Sequence, residues 1–325
     1  ALDQADGRDL PARWSSKIPA GLRGPDGFDL PLAEQTVEDA SSEWTTGRKN
    51  VLVIQVDFAD KPGAPVDAAT LARILADRPA SGVLEAMSYG KLSLVPTIPS
   101  RVYRMPQSAA AYRTTDSTGT SRNSDLHAAA RAAAATDGYD VDAGYDMVLV
   151  VFAQIGMKHL SVVYSAIAEV GGPCLMAQGT RATEPLVHEF GHTLGLGHAS
   201  SWDPATANPV GAGSSAEYGD IFDIMGEGPV PAGHFNVQAK QMLGWLPAAD
   251  WADATARGSG LYRLQRFDAA DATGQRAVRI TKGSGEYYWI GYRQNFPANP
   301  SLLTGVNLLW QKPGQSRCWL VDTRP

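Results

Sequence analysis

The stretch LVHEFGHTLGLGHAS, residues Leu186–Ser200, holds three of the six histidines of the chain. His188 and His192 are four residues apart, so on a helix both imidazole rings project from the same face. Gly195 can take the left-handed conformation that ends a helix, and the chain can then turn back and bring His198 towards the first two rings. Because zinc accepts imidazole nitrogens in a tetrahedral arrangement, we expect these three histidines to bind one Zn²⁺ ion.

A glutamate directly follows the first of these histidines. Glu189 is placed to take a proton from a zinc-bound water in the fourth coordination position, which is the role of a general base. The short pattern H-E-x-x-H is only moderately specific. The extended pattern H-E-x-x-H-x-x-G-x-x-H fixes three ligands, the base and the turn glycine together. The sequence therefore predicts a catalytic zinc centre.

Composition limits the classes of protein to which the chain can belong. It has 325 residues, of which 44% are hydrophobic, which is enough for a large buried core. The formal net charge is −6 and the basic residues are scattered, so we expect no nucleic-acid partner. The sequence contains no apolar run long enough to span a membrane and no signal-peptide pattern. We expect a monomer from which any signal and pro-segment have been removed.

The pattern of apolar residues divides the chain into three parts. Residues 1–48 are rich in proline, glycine and charge, and we expect an extended segment there. Residues 49–257 alternate strand and helix patterns, which indicates an α/β (α+β) catalytic domain. Residues 258–325 contain five short alternating segments separated by turn residues. This last pattern predicts a small β-rich C-terminal domain, whose first strand covers residues 260–267.

Several elements of the central part can be placed from their periodicity. Apolar runs predict two buried strands and a shorter strand at the sheet edge, at residues 50–60, 145–155 and 160–167 respectively. Helical patterns bounded by capping and terminating residues predict helices at 67–79, 124–138 and 236–246. The stretch 200–233 is rich in Gly, Ser and Asp, and it predicts a loop.

A second motif lies downstream of the histidines. In YGDIFDIMGEG, residues Tyr218–Gly228, Met225 is followed by a glycine in a turn-rich segment. Together with the histidine pattern, this resembles the metzincin clan of zinc peptidases, in which a methionine in a tight turn lies beneath the metal. The alternative for a single methionine is ordinary core packing.

Further segments narrow the resemblance to one family within the clan. NVLVIQVDFADKPG, SYGKLSL, HEFGHTLGLGHA, DIMG, FNVQAKQMLGW and YYWIGYRQN are similar to segments of the gametolysin family and of immune inhibitor A-like peptidases. This resemblance covers residues 50–325. It implies a metzincin-type catalytic domain with a zinc-binding helix and a Met-turn. It also implies a secreted zinc endopeptidase that acts on proteins or peptides.

Other residues near the motif have roles that the resemblance leaves open. Several metzincin families place a tyrosine two residues after the methionine, where this chain has Glu227. Tyr218 is then the candidate for a second-shell or substrate contact, and a tyrosine packed with its hydroxyl in water is the alternative. His234 is either a second-shell or substrate contact or the cap of the helix that follows it.

Two further structural features are left open by the sequence, and the first of them depends on an extracellular location. Cys174 and Cys318 form either one disulfide, which we expect in a secreted protein, or two buried thiols. Asp203, Asp220 and Asp223 lie among glycines and form either a Ca²⁺ site or a solvated surface loop.

Two functions follow from these observations. The first is a secreted zinc-dependent endopeptidase that hydrolyses peptide bonds through a zinc-bound water and the general base Glu189. The second is a catalytically silent zinc-containing module, which recognises a protein or cell-surface ligand through Tyr287, Tyr288 and Trp289 in the β-rich part. The intact glutamate favours the enzyme. Alternating aromatic residues in a strand also serve more often in packing than in binding.

Overall fold

The computed structural model describes residues 43–75, 80–112, 123–153, 166–179, 183–228, 233–295, 305–315 and 317–323. These residues form a mixed α/β structure with two β-sheets. The predicted extended segment 1–48 lies almost entirely outside the described residues. Within the described part, no helix is long and apolar enough to cross a membrane.

The first sheet contains the two buried strands that the sequence predicts at 50–60 and 145–155, whereas most of the edge strand predicted at 160–167 lies outside the described residues. Its strands are β1 Gly47–Asp57, β2 Leu92–Thr97, β3 Val102–Arg104, β4 Met147–Phe152, β5 Ala166–Ala168 and β6 Cys174–Gln178. Their order is β2-β1-β4-β6-β5, and β3 pairs with β1. Strands β1, β4 and β6 are parallel, whereas β5 is antiparallel to β6. Every residue of β4 is buried, as its unbroken apolar sequence requires.

The helices are short and mostly amphipathic. Asn236 caps one of them, because its side chain accepts a hydrogen bond from the backbone N–H of Ala239. Helices are present in the described parts of the stretches predicted as helical at 67–79, 124–138 and 236–246. Residues 76–79 lie outside the described residues. The six α-helices of the described residues are α1 Ala68–Leu75, α2 Ala80–Met87, α3 Asn123–Ala135, α4 Thr183–Thr193, α5 Val237–Met242 and α6 Ala254–Arg257.

The second sheet has seven strands in the order β8-β7-β13-β12-β11-β10-β9. They are β7 Ser200–Pro204, β8 Gly213–Ala216, β9 Trp251–Asp253, β10 Ala277–Gly283, β11 Glu286–Gly291, β12 Asn307–Gln311 and β13 Cys318–Val321. Strands β7, β8 and β9 precede residue 258, and the other four strands follow it. The strand predicted at 260–267 is absent, since this stretch forms only one bridge, between Arg266 and Tyr292.

The chain forms two compact units. One contains Gly47–Gly82 and Ser93–Gly195, and the other contains Val83–Leu92 and Leu196–Pro325. The division between the two units falls directly after Gly195. The core of the second unit packs α5 against the second sheet. Its buried residues are Val237, Leu246, Phe267, Ala277, Trp289, Leu309 and Cys318.

Candidate metal centre

Helix α4 carries the first two histidines and ends where the sequence predicts. It packs against β5 and β6 and buries the apolar side chains on one face, Leu186, Val187 and Phe190. The last helical residue is Thr193, and Gly195 has a φ of 101°. The N–H of Gly195 donates to the carbonyl of His192 at 2.7 Å. The predicted glycine turn is therefore confirmed, and it releases the chain from the helix before His198.

The three histidines of the motif form a group that suits a metal ion. One ring nitrogen from each of His188, His192 and His198 lies within 4.8 Å of the other two. The rings of His188 and His192 have centroids 4.7 Å apart and planes at 82°. Three imidazole nitrogens without a protein carboxylate or thiolate are the donor set of a catalytic zinc site that keeps one position open. These residues therefore fit zinc.

Glu189 lies on α4 between the first two histidines. Its side chain is buried, with 7% of the residue exposed. Burial raises the pKa of the Glu189 carboxyl to about 8, because the charged form loses its hydration. The group therefore exchanges protons near neutral pH in the absence of a cation. A neighbouring cation would favour the carboxylate.

His198 is held by two residues that follow strand β8. Its Nδ1 lies 2.7 Å from Oε1 of Glu217, and its ring centroid lies 3.9 Å from that of Tyr218. Burial lowers the pKa of His198, while the carboxylate of Glu217 acts in the opposite direction. The structure thus places Tyr218 against the third histidine, and it adds Glu217, which the sequence does not reveal. No spacing rule connects residue 217 with the zinc motif.

The turn that contains Met225 lies beside the segment of the third histidine. Met225 is buried, and its carbonyl accepts a hydrogen bond from the N–H of Ala199 at 2.9 Å. Met225 and His198 also line the same small cavity, together with Cys318. Asp223 organises the turn, since its Oδ1 accepts the N–H of Met225 and its Oδ2 the N–H of Asn236, both at 2.8 Å.

The predicted calcium site is not supported. Asp203 is exposed on β7, whereas Asp220 and Asp223 are buried. Among the residues that the structure describes, these carboxylates do not form a cluster suited to a cation. Both oxygens of Asp223 instead accept backbone N–H groups. The stretch 200–233 is also not simply a loop, because β7 and β8 lie within it.

The predicted disulfide is not present in the structure. Cys174 and Cys318 are both thiols. The first begins β6 of the first sheet, and the second begins β13 of the second sheet. Each is held by the pairing of its own strand, Cys174 opposite Val148 and Cys318 opposite Gln311.

His234 is buried in the second unit. Its ring packs edge-on against Phe267, with centroids 5.9 Å apart. Burial lowers the pKa of His234 well below its ordinary value, so the ring is neutral. Its Nδ1 has no hydrogen-bond partner among the residues that the structure describes. The cap of α5 is Asn236 rather than His234.

No protein-family model matches the chain, and no curated protein sequence is significantly similar to it. Archaemetzincin from Methanopyrus kandleri is 19% identical over 61% of this chain and 94% of that chain, with a TM-score of 0.32. A chaperone–substrate complex is 14% identical over 52% of this chain and 31% of that chain, with a TM-score of 0.28. OgpA from Akkermansia muciniphila is 10% identical over 84% of this chain and 75% of that chain, with a TM-score of 0.32. None of these similarities assigns the chain to a family.

Proposed function

We propose that the chain is a zinc-dependent endopeptidase. The observation that carries this proposal is the group formed by His188, His192 and His198, whose ring nitrogens lie within 4.8 Å of one another. A zinc ion held by these nitrogens supplies a Lewis acid that polarises a carbonyl oxygen and acidifies a water molecule. The three neutral imidazoles would leave the double positive charge of the ion uncompensated.

Glu189 is the group of this chain that moves protons. It follows a ligand histidine directly and is buried, so bulk water does not compete strongly for its proton. In peptide hydrolysis its carboxylate takes a proton from the attacking water and passes it to the leaving amine nitrogen. The proton gained in the first step is the proton lost in the second, so the glutamate returns to its starting state.

An extended peptide is the substrate form that fits the first sheet. Among the described strands, β5 lies at the end of the order, and it is antiparallel to β6. Helix α4, which carries the catalytic glutamate, packs against this same strand. A peptide that adds to a sheet edge gains backbone hydrogen bonds regardless of its sequence. Of the strand predicted at residues 160–167, the structure describes only Ala166 and Ile167, which belong to β5. The rest of that predicted strand lies outside the described residues.

Membership of the metzincin clan, with a gametolysin-like family and secretion, belongs to the same proposal. It is supported by the histidine pattern and by the turn at Met225, whose carbonyl accepts the N–H of the residue after His198. In this proposal Met225 is the Met-turn residue. The enzyme is secreted, and the β-rich part after residue 258 is its C-terminal domain.

The silent binding module is less well supported, because its aromatic residues are engaged in packing. Trp289 is 1% exposed and packs against Trp251, with ring centroids 5.6 Å apart. The guanidinium of Arg279 covers the rings of both Tyr287 and Trp289. Trp289 therefore contributes to the packing of the second sheet, and Arg279 covers part of the half-buried Tyr287, which leaves less of these rings open to a ligand.

Variants at Glu189 and His198 test the proposed function. Glu189→Gln should keep one zinc per chain but cleave casein about 10²–10⁴-fold more slowly, because a positioned base contributes that much. His198→Ala should lose both zinc and activity, since only two protein ligands remain. Asp203→Asn, which changes an exposed carboxylate, is the control and should behave like wild type. Zinc content is measured by elemental analysis of dialysed protein.

Three outcomes would contradict the proposal. Wild-type protein that binds no zinc would remove the basis for an enzyme of this class. Zinc binding without any cleavage of casein or of a peptide library would leave the silent module as the function. Cleavage by Glu189→Gln within a few-fold of wild type would exclude this residue as the base.

A further inference from the structure

The third histidine differs from the first two in how its ring is fixed. His188 and His192 project from a regular helix, whereas His198 follows the glycine turn in a segment without regular structure. Such a segment does not itself determine the orientation of a ring. A ligand outside a helix therefore needs contacts from elsewhere in the fold to hold it towards a metal ion.

The pairing of β7 and β8 supplies these contacts. The two strands are antiparallel, with Ser201 opposite Ala216. Because β7 begins two residues after His198 and β8 ends one residue before Glu217, the hairpin brings Glu217 and Tyr218 alongside the histidine. The N–H of Gly219 closes the turn on the carbonyl of Ala216. The contact with His198 is thus a consequence of strand register.

The carboxylate of Glu217 selects one form of the His198 ring. A carboxylate only accepts hydrogen bonds, so this 2.7 Å contact favours the form of His198 in which Nδ1 carries the proton. The lone pair of the neutral ring then resides on Nε2, where a metal ion can bind it. The side chain of Glu217 is 58% exposed, and a pair this exposed contributes little to folding stability. The hydrogen bond to Glu217 can still orient the His198 ring, even though the pair adds little to folding stability.

Tyr218 adds a second contact at a conformational cost. Its φ of 61° lies in the left-handed region, which is unfavourable for a residue with a side chain. This conformation places the tyrosine ring 3.9 Å from the ring of His198, centroid to centroid. Strain that persists at a single residue is compensated by the surrounding structure, and it occurs often at functional sites.

We infer that Glu217 and Tyr218 are positioning residues for the third metal ligand: Glu217 fixes the protonated nitrogen of His198, and Tyr218 fixes the plane of its ring. This inference rests on the proposed function, because it requires zinc to bind the three histidines. It assigns a role to two residues outside the zinc motif, neither of which needs to contact the substrate.

Zinc affinity of the full chain tests this inference without relying on activity. Metal-free protein is titrated with Zn²⁺ against a chromophoric chelator of known affinity. Glu217→Ala should weaken zinc binding about 10–100-fold, the usual effect of losing the partner of a ligand histidine. Glu217→Gln should lose less, because the amide oxygen still accepts the Nδ1 proton. Glu227→Ala removes an exposed carboxylate in the same region and should leave the affinity unchanged.

Two variants of Tyr218 distinguish the effect of its ring from the effect of its backbone conformation. Tyr218→Phe keeps the ring and should bind zinc as wild type does. Tyr218→Gly relieves the unfavourable φ but removes the ring, so zinc binding should weaken while the melting temperature of the metal-free protein does not fall. Circular dichroism of each metal-free variant confirms that it is folded.

The outcomes distinguish this inference from the proposed function. If wild type binds zinc tightly and Glu217→Ala binds it as tightly as Glu227→Ala, the positioning role is wrong and the zinc site stands. If Tyr218→Gly keeps wild-type affinity, the ring contact has no such role. Wild-type protein that binds no zinc would overturn the proposed function, and this inference with it.

Discussion

Gly226 shows how a single residue determines the packing of the turn that follows Met225. A Cβ atom at this position would lie 2.2 Å from the carbonyl oxygen of Asp220 and 2.9 Å from those of Ala199 and Tyr218. All three contacts are with backbone atoms, which cannot move independently. The segment after His198, the segment of Tyr218 and the methionine turn therefore approach one another closely only because residue 226 has no side chain.

Gly226→Ala should consequently destabilise the protein by about 1–3 kcal/mol, the usual cost of forcing an extra methyl group into a packed site. Gly260→Ala is the matched control, because a Cβ at Gly260 would meet no atom within 4 Å. The control should change stability by less than about 0.5 kcal/mol. Urea unfolding of both variants measures the difference. Equal midpoints for the two variants would show that the turn relaxes freely around an alanine.

The contrast between the zinc motif and Glu217 shows what sequence can determine at the level of residues. The grouping of the three histidines could be predicted because helical spacing and a glycine turn are local properties of eleven consecutive residues. Glu217 contacts His198 only through the pairing of two strands that the sequence does not mark. A contact made by strand register cannot be inferred when the strands themselves are not recognised.

Strands β7, β12 and β13 share a cluster of aromatic rings around one amine. The Nζ of Lys312 lies 3.2, 4.4 and 4.7 Å from the ring centroids of Trp202, Trp310 and Trp319 respectively. Trp202 packs edge-on against both of the other indoles. Burial lowers the pKa of Lys312, so the ammonium relies on the π-faces for part of its stabilisation. The cluster thus links three neighbouring strands.

Lys312→Met should destabilise the protein by about 1–2 kcal/mol, because it keeps the aliphatic stem but removes the cation–π interaction. Arg48→Met is the control, since it removes one positive charge from an exposed residue of β1. Urea midpoints of the two variants are compared at the same ionic strength. If both lose the same stability, the rings stabilise the sheet through their buried area alone.

The elements that sequence predicts best are those whose burial is uniform. β4 is a continuous apolar run and is buried throughout, so its pattern has a single interpretation. β8 has the sequence GSSA and is exposed at every position, which leaves no apolar signal. Residues 260–267 show the reverse case, in which a strand is predicted but not formed. They alternate like a strand, but they make only one β-bridge. Pairing partners, and not alternation alone, decide whether such a segment becomes a strand.

The pairing that joins the most distant strands of the second sheet could not be predicted for a related reason. The second sheet joins β7 to β13 in parallel, with Ser200 opposite Trp319. Pairing between residues so far apart in sequence leaves no local pattern from which it could be inferred.

Zinc should stabilise the folded molecule as a whole. The nitrogens of His188, His192 and His198 lie within 4.8 Å of one another only in the native structure, so the ion binds the folded chain far better than the unfolded one. At a free zinc concentration about 100 times the dissociation constant, this linkage adds about 2.7 kcal/mol to the free energy of unfolding. Removal of the metal with a chelator should therefore lower the melting temperature by several degrees.

The dependence on zinc concentration is what distinguishes this linkage from a general salt effect. The melting temperature of wild type should rise steadily with the logarithm of free zinc once the site is saturated. His192→Ala should show no such rise, and calcium at the same concentrations should have no comparable effect on wild type. Differential scanning calorimetry in zinc-buffered solutions measures both curves. A melting temperature that responds equally to zinc in wild type and His192→Ala would mean that the ion binds elsewhere, and the assignment of the three histidines would be wrong.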